Sequence, residues 1–447
     1  MSSLRSANYR WWLVSDSSGV VGGSLRGFAV PLVVYLLSGS AVWAGAVGTV
    51  AAVITTVLSL PGGVIVDRHD RRRLVRWYAV GSVLVWGAVT GLGVAGWLTW
   101  QVVFAAAVAG AVLAALFGSA TDAALRSVVD LEDFPRAMAV NQGRDAAIRL
   151  ASGPLGGLLL GVTSWLPFLG TTLAHLVQGL TIGRVNGDLA PPAREPKSVL
   201  HDLLEGLRWM RGQSVIVHVS LVAVLTNFGF GGALFAFNLV LLATGHTPFQ
   251  VGVLDAASAV AALVGSLFAA RLVAHVPTGV LVIATLAVDT ALFAPAILDQ
   301  SYVVLVAVSA AVSLLVPALN ASALGYLFGR TPVELQGRMQ SVLGVVSMGL
   351  GSLAPGLVGL LLDWRGARVT IAVFVGVLVL ATLATIWSRP IRTIPRPAGW
   401  ETASPSPSGD SPGGSAQHEL EPHRHPTAPR DVDRDPGDSS DPLESNP

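Results

Sequence analysis

The chain has 447 residues, 12% of them charged and 52% hydrophobic, with a mean hydropathy of +0.63; a soluble surface carries roughly a quarter charge, so lipid is the solvent for most of this chain. A formal net charge of +1 supplies no single-sign field for nucleic acid. With no cysteine, and nine histidines lacking HExxH or paired-ligand spacing, neither disulfides nor a metal centre nor a cofactor is expected.

Arg5 and Arg10 precede an apolar run from Trp11 to Leu37. At about 27 residues it is longer than a signal-peptide core and lacks an A-x-A site, which predicts a first membrane helix. A helix needs about 20 apolar residues to cross the hydrocarbon core. Breaking the chain at its polar and Gly/Pro punctuation gives spans at 11–37, 42–66, 74–98, 101–121, 138–163, 165–187, 214–243, 250–274, 277–298, 301–328, 339–362 and 369–388. Basic residues then fall after every second span, as cytoplasmic loops require. Arg68, Arg71, Arg72, Arg73 and Arg76 follow the second, Arg126 and Arg136 the fourth, and Arg184, Arg194, Lys197, Arg208 and Arg211 surround the middle. Arg271, Arg330 and Arg338 continue the series, and Arg389, Arg392 and Arg396 close it. The expectation is a multi-pass protein of the bacterial cytoplasmic membrane with both termini in the cytoplasm. Arg365 and Arg368 break the pattern, with Asp363 beside them.

Residues 1–187 and 214–388 read as two six-helix bundles joined by a cytoplasmic linker at 188–213. Within the linker, Val199 to Met210 is amphipathic. The halves echo one another: an acid, an arginine–methionine neighbourhood, a proline and a Leu-rich end recur around Pro154 and Pro355, and Gly265 with Arg271 echoes Gly63 with the arginine loop. Residues 389–447 are rich in Pro, Ser, Asp and Gly, cannot bury enough surface to offset ordering, and read as a disordered tail; the grouped His418, His423 and His425 fall there.

The loop after the second span reads GGVIVDRHDRRRL, Gly62 to Leu74. It resembles motif A of the major facilitator superfamily through Gly63, Ile65, Asp67, Arg68, Arg71 and Arg72; Asp70 stands where that family usually has glycine, and Val66 replaces a small residue. SGPLGG, Ser152 to Gly157, resembles motif C of the exporter branches through Gly153, Pro154, Gly156 and Gly157. The resemblance covers roughly Arg10 to Arg389 and is nearest to macrolide-efflux and siderophore-exporter types. It implies an all-α membrane protein with twelve helices in two pseudo-symmetric bundles. It also implies a gate in which Asp67 caps the eleventh span near Gly337 while Arg68 or Arg71 pairs with Asp122. The bland reading of these arginines is that they fix topology. Motif B of proton-coupled branches wants an arginine in the fourth span, and none lies between Gln101 and Ala120.

Charges inside a bilayer need partners, water or substrate. Asp16 and Arg26 lie on one stripe of the first span, about 15 Å apart along the axis and so unable to pair directly. In the fifth span Asp145 and Arg149 have the acid-first i, i+4 spacing of an ion pair, with Arg144 nearer the cytoplasm. Asp16, Arg26, Asp145, Arg149 and Asp255 are the cavity candidates, ahead of Asp289. Asn227 and Asn320 are uncharged candidates, while His175, Gln178 and Asn238 suit contacts between helices.

No phosphate-cradling Gly-x4-Gly-Lys-Ser/Thr is present and no catalytic constellation is evident. The expected function is export of a small organic molecule, such as a drug, antibiotic or siderophore-like metabolite, by a monomeric proton antiporter rather than an enzyme. An importer of a small metabolite and a non-transporting receptor stay open as alternatives.

Overall fold

The computed structural model describes residues 3–190, 205, 207–332, 335–336, 339, 342–344 and 349–400. Most of the amphipathic stretch from Val199, as well as Gly337, Arg338 and the tail histidines, lies outside them. The described residues form helices and no strand. In order these are α1 (Ala7–Ser38), α2 (Ala41–Arg68), α3 (Arg71–Val94), α4 (Trp100–Phe117), α5 (Ala120–Val128), α6 (Phe134–Val162), α7 (Leu166–Ile182), α8 (Ser214–Ala243), α9 (Pro248–His275), α10 (Thr278–Leu298), α11 (Tyr302–Arg330), α12 (Ala354–Trp387) and a short α13 (Arg389–Arg392).

Local chemistry sets the helix ends. Ser6 caps α1 by accepting from the Tyr9 amide at 3.1 Å, and Gly39 closes it in the left-handed conformation, φ 66°. Asp70, the residue that departs from the motif A pattern, caps α3 by accepting from the Arg72 amide at 2.8 Å. Thr247 and Gln250 form a capping box at α9.

Among the described residues, nine stretches are long and apolar enough to cross a bilayer, Trp100–Val128 (α4 with α5) counting as one. Helix α6 is excluded from that set by its Arg136, Arg144, Asp145 and Arg149, and α7 by its 17 residues. The stretch Val342–Trp387 counts once but holds two spans, divided at Gly366, whose φ of 80° no ordinary side chain tolerates. With α6, α7 and this division, the described residues account for twelve membrane-spanning segments in two bundles. The bundles pack alike: α2 on α4, α1 on α7 and α3 on α7 in the first correspond to α9 on α11, α8 on α12 and α10 on α12 in the second. The symmetry reaches single residues. A Cβ on Gly62 would run into the Ala115 carbonyl of α4, and one on Gly265 into the Leu314 carbonyl of α11. The glycine needed for close approach in α2 is thus Gly62, one position before the Gly63 that matched the motif.

Three buried clusters organise the interior. One spans both bundles at the end remote from the termini, through Val33, Ala41, Phe237, Phe293 and Phe374. The other two lie at the terminal end, one in each bundle: Tyr9, Trp12, Val66, Leu74 and Ile182 in the first, Ile216, Leu286, Tyr326 and Ile391 in the second. The halves share a core at one end and have separate cores at the other.

The folded chain also runs further than composition indicated. Residues 389–400 were expected to begin a disordered tail, but Ile391 and Ile394 are buried, the Thr278 and Gly279 amides donate to the Pro395 and Ile394 carbonyls, and Trp400 packs edge-on against Tyr326 at 5.7 Å. Two isoleucines and a tryptophan suffice because α10 offers unsatisfied first-turn amides there.

Candidate substrate cavity and gates

Between the bundles lies a cavity of about 600 Å³. Arg26, Val30 and Pro31 of α1, Val47 to Thr56 of α2, Ala107 and Ala111 of α4, Asn227 and Phe235 of α8, and Ser352 and Pro355 line it. The lining is apolar apart from hydroxyls, Asn227 and one charge, Arg26. The Arg26 guanidinium sits over the Trp86 ring, 5.8 Å from its centroid, and Trp86 in turn stacks on Phe168 at 5.2 Å. Its Nη1 is buried without a hydrogen-bond partner.

A smaller cavity of about 340 Å³ borders the first through Gly27, Pro31 and Phe235. It brings Arg149 of α6 together with Asp255 of α9, and Asp255 accepts from Asn238 Nδ2 at 3.3 Å. Arg149 is not paired with Asp145, contrary to the i, i+4 expectation. Arg144 takes Asp145 instead, at 2.7 Å, and reaches across to Asp16 on α1. The acid-first spacing lost because Asp16, only 5% exposed, offers Arg144 a second carboxylate that no sequence spacing reveals. Asp16 and Asp145 therefore line neither cavity. Asn320 is exposed and lines neither. Asp289 is buried in α10 with Oδ1 unpartnered, and His175 bonds Gln178 at 2.8 Å where α7 meets α1.

The bundles meet tightly at the end remote from the termini. Backbone of α6 at Gly153 and Gly157 lies against α9: a Cβ on Gly153 would meet the Gly252 carbonyl at 2.8 Å, and one on Gly157 would meet Phe249 Cα at 2.8 Å. Gly156 faces the other way, onto Phe28 of α1. Pro154, inside α6, sits at the same level. Gly252 went unnoticed in the sequence, where only its partner carries a motif. Across the second contact Gly45 abuts the Pro355 carbonyl, and Gly359 the Ala41 carbonyl. Asp363 completes this seam. Its carboxylate, from the second bundle, accepts from Ser40 Oγ at 2.8 Å, the Ala41 amide at 3.0 Å and the Val42 amide at 3.2 Å, capping the N-terminus of α2 in the first.

Toward the terminal end this seam stops. From Ala51 to Pro61 helix α2 has no buried residue, and every inter-bundle glycine contact above lies beyond it. Among the described residues the motif A side chains bond only within the first bundle: Asp67 and Arg68 are exposed, Arg71 donates to Ser127 Oγ at 3.1 Å and Arg72 to the Gly187 carbonyl at 2.6 Å. Neither Arg68 nor Arg71 pairs with Asp122 in this form, and the Gly337 end that Asp67 was expected to cap lies outside the described residues.

Comparison with known proteins fits this geometry. The family model for the Major Facilitator Superfamily matches residues 219–422. The fold is the major facilitator fold. No curated protein matches in sequence. Among solved structures, the nucleoside transporter NupG is similar with a TM-score of 0.63 at 14% identity, covering 85% of this chain and 98% of its own. A bacterial homologue of the iron transporter ferroportin, in an inward-facing state, gives 0.62 at 17%, covering 86% and 99%. A bacterial homologue of the human lysosomal transporter Spinster, inward-facing and unoccupied, gives 0.63 at 13%, covering 87% and 98%. At these identities the likeness is one of fold.

Proposed function

We propose that this chain is a major facilitator transporter that exports a small organic molecule across the bacterial cytoplasmic membrane by alternating access, in exchange for protons and as a monomer with both termini in the cytoplasm. One observation carries the reading: a cavity between two bundles that share a core at one end and part at the other. With the arginine-rich loops in the cytoplasm, this form is open inward and sealed outward, the state in which an exporter loads. The motif C glycines at the α6–α9 seam support the exporter direction, as does the resemblance to macrolide and siderophore exporters. The proton carrier we assign is Asp255, which lines a cavity beside Arg149, rather than Asp16, which Arg144 engages. Asp67, Arg68 and Arg71 are then the gate that forms when the cytoplasmic side closes.

Everted membrane vesicles test this. Energised vesicles holding the protein are expected to accumulate an amphipathic dye from a mixed panel, and Asp255→Asn is expected to cut proton-driven accumulation at least tenfold. Vesicles that instead empty of dye identify an importer, and vesicles that do neither remove the transport reading.

A further inference from the structure

We propose that the transported substrate is an amphipathic organic anion, its single carboxylate, sulfonate or phosphate held by Arg26 and its apolar body by the walls of the larger cavity. This deepens the transport reading and rests on it for the word substrate. A cation at mid-membrane is tolerated only when paired or hydrated, and Arg26 has no acid. Among the described residues no carboxylate lines its cavity, and Asp16, the acid on its own helix, is held by Arg144.

The surroundings of Arg26 are built to hold its charge where an anion can reach it. Trp86 supports the guanidinium from one side, and Phe168 fixes Trp86 by stacking. Helix α4 leaves a gap at Gly110, where a methyl group would meet Trp86 Cζ2 at 3.1 Å and Arg26 Nη1 at 3.3 Å. Among the described residues Nη1 has no hydrogen-bond partner, and although Nη1 itself is buried, Arg26 is only half-buried and the rest of the side chain borders the cavity. An arginine that served only to fix topology would lie in a loop, and one that served only packing would have its donors satisfied by neighbouring carbonyls. Around the charge, Val30, Val47, Ala51, Ala107 and Phe235 offer an apolar surface without a second charge. A guanidinium without a carboxylate partner bordering such a pocket selects an anion, because it forms charge-assisted hydrogen bonds that a neutral analogue of equal size cannot.

The test uses a matched pair of fluorophores, dansylglycine, which carries a carboxylate, and dansylamide, which does not. Binding is followed by fluorescence enhancement on the full-length protein in nanodiscs. Wild type is expected to bind dansylglycine at least tenfold more tightly than dansylamide. Arg26→Gln is expected to remove that preference by weakening dansylglycine alone, so that retained dansylamide binding reports an intact fold. Arg26→Lys retains part of the preference, and Gly110→Ala reduces it by displacing the guanidinium. Equal affinities in wild type, no binding of dansylglycine, or an Arg26→Gln protein that still prefers the anion overturns the proposal. These readouts involve no gradient, so a failure of vesicle transport with intact anion preference counts against export and not against the anion site.

Discussion

Arg144 is the residue on which the buried charge of the first bundle depends. It bridges Asp16 of α1 and Asp145 of its own helix, with side-chain exposures of 15%, 7% and 26% respectively. Removing one partner of a buried pair leaves the other charge uncompensated, at a cost of about 3–5 kcal/mol. Arg144→Gln is therefore expected to lower the unfolding midpoint of the purified protein markedly, with Asp16→Asn in the same chain restoring most of the loss. A midpoint unchanged by the single variant contradicts this assignment. The charges themselves were legible in the sequence, since each intramembrane Asp or Arg stood out by cost alone. Their partners were not, because the Asp16–Arg144 contact depends on where α1 and α6 cross. Arg26 differs: its lack of an acid neighbour on the helix was readable, whereas the Trp86 face and the Gly110 gap came only with the fold.

At the scale of helices, the seam between the bundles consists of backbone touching backbone. Gly252 faces Gly153 so closely that a Cβ has no room, and small residues are what allow membrane helices to approach this far. Gly252→Val is expected to force α9 from α6, reduce transport more than tenfold and open the cavity to the outer side. A cysteine placed at Ala51 reads that opening through a membrane-impermeant maleimide, with no background because the protein has no cysteine of its own. Outer-side labelling that does not rise in the Gly252→Val protein argues against a seal at this contact. SGPLGG was visible in the sequence as a place for close contact, and the structure adds its partner. Asp363 was visible only as an acid beside two misplaced arginines. Its use as a cap for α2 depends on the end of the first half of α12, just before Gly366, reaching a helix start 322 residues earlier at the Ala41 amide.

For the whole molecule, the two-bundle architecture was readable because hydropathy, arginine alternation and the repeat around Pro154 and Pro355 agree. The terminal boundary was missed, since a Pro- and Arg-rich segment gives no composition signal for packing on α10 and α11. Sequence also cannot say which of two closures a chain adopts, because motif A and the seam glycines are present in both. On the proposed mechanism, the seam closed by Asp363 is one side of a two-state equilibrium. The N-cap contribution of a carboxylate is about 0.5–2 kcal/mol, and one to two kcal/mol is a factor of roughly 5–30 in population. Double-label distance measurement settles it most directly, with one spin-label pair at exposed Leu36 and Trp364 at the sealed end and a second at exposed Arg68 and His275 at the open end. In the Asp363→Ala protein the first distance is expected to lengthen and the second to shorten, as population moves to the opposite closure. Distances that stay fixed, or that lengthen together, contradict the account.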